Sequence, residues 1–166
     1  MIFRFSDFVL DVDVERTRAF YERDDVKTTS EQCVCQGCQN YDGAILTASA
    51  TVLDFLRSMG IDPRKPAEVY DVMGSQLDEN GKVWYNGWYH ICGVILHNES
   101  RLEPMTGAEG VAHWNNGHTH TPDPDFPFKV SFEEQAFVIH EAFPAPILQM
   151  ELDTHLPWVL PTPYQT

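Results

Sequence analysis

The chain is poor in positive charge: 11 Lys and Arg stand against 25 Asp and Glu in 166 residues, a net charge of −14. The acids are scattered, from Asp11 and Asp13 through Glu22, Asp24, Asp25, Asp78, Glu79, Asp123 and Asp125 to Glu133 and Glu134, and form no acidic tail. Such a surface repels phosphate backbones and anionic lipid, which argues against nucleic-acid binding through a basic face and against a DNA-reading zinc finger. Its plainest consequence is solubility. An acidic inhibitor or immunity-type protein that blocks a basic partner is a further reading; it rests on net charge alone and implies salt-sensitive binding. Long apolar runs are also missing, and no window reaches the roughly 20 residues of a membrane span. The first residues, Met1 to Asp7, show neither a charged leader nor a small-residue cleavage site. The expectation is a cytoplasmic protein with reduced thiols and no membrane partner. A glycine-rich phosphate loop is absent as well, since Gly74, Gly81, Gly87 and Gly93 are single turn or bulge glycines. Internal repeats and domain boundaries are not found, so residues 1–166 read as one domain able to build its own core.

Cysteine is scarce, and its placement is what the chain has to offer. All four cysteines lie in two short segments, Cys33-Val34-Cys35-Gln36-Gly37-Cys38 and His90-Ile91-Cys92. Thiolates are soft ligands, and three of them in one short loop can converge on a single ion, zinc being the candidate that takes Cys and His in tetrahedral sets. In a reducing compartment clustered cysteines bind metal or do redox chemistry more often than they form structural disulfides. The expected ligand set is Cys33, Cys35 and Cys38, completed by His90 (three thiolates and one imidazole) or by Cys92 (four thiolates). Its role would be to pin the thiol loop to a central strand. Against this stand cysteines that behave as small buried apolar residues, and a reactive Cys38 at a helix N-terminus. No carboxylate–His pair is visibly arranged to activate Cys38.

The periodicities outline an α+β fold, a mostly antiparallel sheet with a long amphipathic helix at about 40–59 packed on one face and a short N-terminal helix. Residues 2–12 read as a strand, bent near Asp7, and Asp13 can cap a helix through about Arg23. Ile45, Ala48, Val52, Phe55, Leu56 and Met59 form one helical stripe, with Asn40 as N-cap and Gly60 at the left-handed position after the C-terminus. Strands are expected at Glu68–Gln76, at Lys82–Leu96 with an interruption at Asn86-Gly87, at Phe128–Phe132, at Ala136–Ile139 and at Ile147–Leu152. Alternation puts Trp88, His90 and Cys92 on one face of a central strand. The Pro- and Gly-rich segment at about 98–127 reads as a long irregular loop.

Other groupings carry less. His118-Thr119-His120 with Asp123 is only faintly like the His-x-His-x-Asp-His run of metallo-β-lactamases: the Asp is displaced and no His follows. With His113 beside it, this 113–125 segment reads as a solvated turn-rich loop. Asp11, Asp13 and Glu15 could hold a hard cation, but capping and exposure account for them. His140-Glu141 has no Cys-x2-Cys after it, so the zinc-deaminase pattern is not met.

Several stretches together resemble an uncharacterised family of small bacterial proteins of the gut Firmicutes type. These are Asp11 to Tyr21, Cys33-x-Cys35-x2-Cys38-x-Asn40-Tyr41, Gly60-Ile61-Asp62-Pro63-Arg64-Lys65-Pro66-Ala67-Glu68-Val69 and Asn86-Gly87-Trp88-Tyr89-His90-x-Cys92-Gly93, with looser likeness through Phe143 to Gln149 and Leu156-Pro157-Trp158. The family has no established activity, so the resemblance implies no reaction. In its pattern the position of Cys92 varies whereas the histidine at His90 is typical, which favours His90 as fourth ligand. The leading expectation is a protein with a structural zinc site that acts by protein contacts. The competing one is a thiol- or metal-dependent enzyme centred on Cys38 and the Cys/His cluster. Partner, substrate and oligomeric state are left open by the sequence.

Overall fold

A computed structural model describes residues 1–5, 8–72, 74, 76–98 and 128–164. The frame that these residues build is a mostly antiparallel sheet of six strands: β1 (Ile2–Phe5), β2 (Phe8–Val12), β3 (Glu68–Asp71), β4 (Lys82–Asn98), β5 (Lys129–Glu133) and β6 (Ile147–Pro157). The order is β1-β2-β4-β6-β5, with β3 paired to β4. Four short helices accompany it among the described residues: α1 (Val14–Tyr21), α2 (Thr29–Gln32), α3 (Gln36–Ala44) and α4 (Ala50–Ser58). Asp13 caps α1, its carboxylate accepting from Arg16 N–H at 3.1 Å.

The long amphipathic helix expected at 40–59 is not formed. In its place stand two nine-residue helices, α3 and α4, separated by a 3-10 turn at Ile45–Thr47 and a break at Ala48-Ser49. Thr47 Oγ1 donates back to the Ala44 carbonyl at 2.7 Å, and Ser49, with ψ of 154°, opens α4 as its N-cap by accepting from Val52 N–H. Periodicity could not see the break because Ile45, Val52, Leu56 and Met59 on both sides of it are buried in the same core. Asn40, expected as N-cap, lies inside α3 and is fully buried. Its amide donates to the Tyr85 hydroxyl and the Pro157 carbonyl and accepts from Val159 N–H. Gly60 does take the left-handed position after α4, at φ +84°, and a Cβ there would lie 2.5 Å from the Val14 carbonyl oxygen.

Other boundaries move too. Residues 2–12 are a hairpin, with Phe5 opposite Phe8, and not one bent strand. β3 has only four residues, and Ala136–Ile139 is not a strand. β4 runs unbroken for 17 residues through Asn86-Gly87. Gly87 serves β3: a Cβ on it would collide with the Glu68 carbonyl oxygen of the paired strand. The expected loop at 98–127 lies outside the described residues apart from Asn98, which ends β4; His113, His118, His120 and Asp123 fall within that span.

The core lies between the sheet and the helices. Val83, Tyr85, Tyr89 and Ile91, at odd positions of β4, are buried; Tyr85 and Tyr89 meet α3, where the Tyr41 and Tyr85 rings lie edge to face at 5.2 Å and the Tyr41 and Tyr89 hydroxyls hydrogen-bond. Phe8 of β2 and Phe132 of β5 touch at 5.3 Å although two strands separate them in the sheet order. In a flat sheet they would be about 14 Å apart, so the sheet curls around this core.

One stretch of β4 has no strand neighbour on the edge opposite β6. There β3 pairs as far as Trp88 and β2 begins at Gly93. Side chains of α1 fill the gap. The Tyr21 hydroxyl accepts from His90 N–H at 3.2 Å and donates to the His90 carbonyl at 2.9 Å, and Thr17 Oγ1 accepts from Cys92 N–H at 3.0 Å. Buried backbone polar groups must find partners, and here a helix supplies them through two hydroxyls.

Candidate metal centre

The three thiols of the first segment come together. Cys33, Cys35 and Cys38 place their sulfurs within 4.8 Å of one another, the one such group of three ligating side chains among the described residues. The loop is built by two helix ends. Cys33 terminates α2 in an extended conformation, and Cys35 is the N-cap of α3. A thiol is an unusual cap, which is why the sequence pointed to Asn40 instead. Two N–H groups in the turn point at sulfurs: Cys35 N–H donates to Cys33 Sγ and Cys38 N–H to Cys35 Sγ, both at 3.4 Å. Such donors favour sulfur in its thiolate form.

The two ends of the loop are anchored. Thr28 and Glu31 form a capping box on α2, and Thr28 Oγ1 and Ser30 Oγ both donate to Asp42 Oδ2 of α3. Arg64 grips the same carboxylate with two nitrogens, at 2.5 and 3.0 Å. Burial would raise the Asp42 pKa, but Arg64 and the two hydroxyls outweigh it and hold the carboxylate below its ordinary range. On the other side Tyr85 donates to the Gly37 carbonyl at 2.9 Å, and the Asp71 carboxylate, which accepts from Tyr164, borders Gly37 beside Cys35 Sγ.

The thiols differ electrostatically. The Cys35 N–H, then the neighbouring thiols, lower the pKa of Cys33. Burial, then the Cys35 and Cys33 sulfurs, push Cys38 far up. Without a cation Cys38 is therefore a neutral thiol at physiological pH, which disfavours it as a free nucleophile. A bound metal reverses that preference by deprotonating its sulfur ligands.

His90 and Cys92, the expected fourth ligands, are placed elsewhere. Tyr85 and Tyr89 hold α3 and the thiol loop on the odd face of β4, so the even positions His90 and Cys92 project from the opposite face. His90 is also five residues beyond Tyr85, about 17 Å along a strand. Its ring packs on Phe143 at 5.4 Å, and Cys92 Sγ lies 3.8 Å from the Ala145 carbonyl. Burial raises the Cys92 pKa, and it is an interior thiol.

The other sequence candidates form no second metal group among the described residues. Asp11 pairs with the Met1 amino group at 3.0 Å and Glu15 with Arg18 at 2.6 Å, while Asp13 caps α1. His140 Nδ1 accepts from Ala142 N–H at 3.1 Å. A group the sequence reading missed lies across β5 and β6, where Glu133 faces Gln149 and Ser131 faces Glu151. Glu133 is 8% exposed, its Oε2 has no hydrogen-bond partner, and burial followed by the Glu151 charge pushes its pKa up to about 7. The alternation of Lys129, Ser131 and Glu133 looks like an ordinary solvent face, and only the strand register reveals the pairing.

No protein family, no curated protein and no solved structure matches the chain. No helix among the described residues is long and apolar enough to cross a membrane.

Proposed function

We propose that the protein binds one zinc ion through Cys33, Cys35 and Cys38, that the ion is structural, and that the protein works in the cytoplasm by contacts with another protein. The observation that carries this reading is the convergence of three sulfurs within 4.8 Å on a loop whose N–H groups point at them. Zinc–sulfur bonds of about 2.3 Å in a tetrahedron put sulfurs about 3.8 Å apart, so a small closing of the loop is all that is needed. The ion would lock the junction of α2 and α3, which otherwise depends on the Asp42–Arg64 cluster. Contact with a partner is supported by Val34, which sits between two of the ligands and is 88% exposed. An aliphatic side chain displayed on the tip of a metal loop is placed for an interface.

A metal-dependent enzyme is the second reading. It is favoured by the ligand count, because structural zinc sites are closed by four protein ligands and catalytic ones keep an open position. His90 and Cys92 do not supply the fourth.

Cobalt titration tests the ligand set. Thiolate-to-cobalt absorption should appear in the wild type, persist in Cys92→Ala and His90→Phe, and be lost in Cys35→Ser. Loss in Cys92→Ala with retention in Cys35→Ser would sink the assignment. Thiolate bands accompanied by an exchangeable water, read by X-ray absorption, would move the weight to the enzyme reading.

A further inference from the structure

The thiol loop is built for a second chemistry besides metal binding. Its three sulfurs lie within 4.8 Å of one another, and the four cysteines are graded in exposure. Cys35 is exposed, Cys33 and Cys38 are half-buried, and Cys92 is closed inside the core. A small oxidant arriving from solvent therefore meets Cys35 first. An accessible sulfur with a second sulfur in reach is the setting in which cysteine oxidation ends in a disulfide.

The partner of Cys35 stands on the same helical turn. Cys35 is the N-cap of α3, and Cys38, three residues on, donates its N–H to Cys35 Sγ at 3.4 Å. Positions three apart on a helix have Cα atoms about 5 Å apart, inside the range of roughly 4.4–6.8 Å that a disulfide spans. The backbone between the two cysteines is held in place, since Tyr85 donates to the Gly37 carbonyl at 2.9 Å. Bond formation thus asks mainly for side-chain rotation. Cys33 is a poorer partner for Cys35, because Val34 alone separates them and so small a ring strains the disulfide.

We propose that Cys35 and Cys38 close into a reversible disulfide when a peroxide reaches the loop, and that this bond and the zinc ion exclude each other at the site. The second half rests on the zinc reading above; the first does not.

The sulfur of Cys35 attacks one peroxide oxygen. An S–O bond forms, the O–O bond breaks, the sulfur gives up two electrons, and the departing hydroxide takes a proton to become water. The Cys38 sulfur then attacks the sulfur of this sulfenic acid. An S–S bond forms, the S–O bond breaks, and the hydroxide leaves with the Cys38 proton as a second water. One peroxide is reduced to two waters while two thiols become one disulfide. A dithiol reductant reverses the bond by exchange. With both sulfurs in the disulfide, only Cys33 remains for the ion, and one thiolate does not hold zinc where structural sites use four ligands. Val34 then no longer sits between two metal ligands, so oxidation alters the surface offered to a partner.

The test exposes full-length protein, zinc-loaded in one sample and chelator-treated in another, to hydrogen peroxide. Thiol titration, peptide mass mapping and released zinc are the readouts. Of the four thiols two should remain, Cys33 and Cys92, with a mapped Cys35–Cys38 bond. Zinc should leave in step with that bond, closure should be slower in the zinc-loaded sample, and dithiothreitol should restore all four thiols. Cys33→Ser should still close, whereas Cys38→Ser should stop at a sulfenic acid on Cys35 that dimedone traps. Four thiols persisting in the chelator-treated sample would overturn the proposal, as would oxidation past the sulfenic acid without a bond, or a mapped bond other than Cys35–Cys38. Zinc retained by the disulfide form would overturn the exclusion. Closure in a protein that never takes up zinc would leave the disulfide standing and remove the zinc reading together with the exclusion.

Discussion

Tyr21→Phe removes one oxygen and should cost far more than a hydroxyl usually does. In the wild type that oxygen serves two backbone groups of a buried strand, the N–H of His90 at 3.2 Å and its carbonyl at 2.9 Å. Both lie where β4 has no strand neighbour, and Tyr21 is itself buried. Leaving one buried polar group unsatisfied costs about 1–3 kcal/mol, so two orphans amount to about 2–6 kcal/mol. Whole domains are stable by only about 5–15 kcal/mol. At roughly 2–4 °C per kcal/mol for a chain of this size, the melting temperature should fall by about 4–24 °C. Thr17→Val, which orphans only the Cys92 N–H, should cost about half as much. Tyr70→Phe is the control, since Tyr70 is half exposed and should change stability by less than about 0.5 kcal/mol. Urea denaturation of the three variants decides the matter. A Tyr21→Phe loss no larger than the Tyr70→Phe loss would refute the claim that α1 closes the sheet edge through its side chains.

Asp42→Asn should destabilise by about 1–3 kcal/mol, discounted because Arg64 is partly exposed, and should weaken metal retention by freeing α2 from α3; thermal melts and a chelator competition read the two effects. Acid should act in the same direction, because a carboxylate held below its ordinary pKa contributes stability that is lost as pH falls through the folded value. Glu133 has the opposite sign: with a folded pKa of about 7, above the unfolded value, its contribution is present below pH 4 and lost as pH rises towards 7. Glu133→Gln should therefore gain stability relative to wild type between pH 5 and 8, and equal pH profiles in urea denaturation would contradict this. His90 adds an acid-side loss between about pH 6.5 and 4, since its folded pKa is lowered by burial and the unfolded state takes up the proton first; His90→Phe should flatten that limb.

The thiol cluster was legible because its geometry is local: three cysteines in one short loop can hardly avoid each other. The fourth ligand was not, because it required knowing which face of β4 the loop sits on. Strand parity correctly groups His90 with Cys92, but nothing in the alternation shows that Tyr85 and Tyr89, at odd positions, would be the ones to hold α3. The helix break at Ala48-Ser49 was hidden by an apolar stripe that both helices share. Ser49 followed by Val52 was the available cap signal, outweighed by the periodicity around it. The bridge from Tyr21 and Thr17 to β4 was not legible at all, since it exists only where β2 and β3 fail to meet along β4.

Whether Cys33, Cys35 and Cys38 hold a metal is decided by the metal content of protein purified without chelator or added zinc. Plasma mass spectrometry on the wild type and on Cys35→Ser is sufficient. The expected result is about one zinc per chain in the wild type and none in the variant, with a lower melting temperature for the variant; occupancy at a thousand times the dissociation constant is worth about 4 kcal/mol. Metal-free wild-type protein with all four thiols titratable would contradict it.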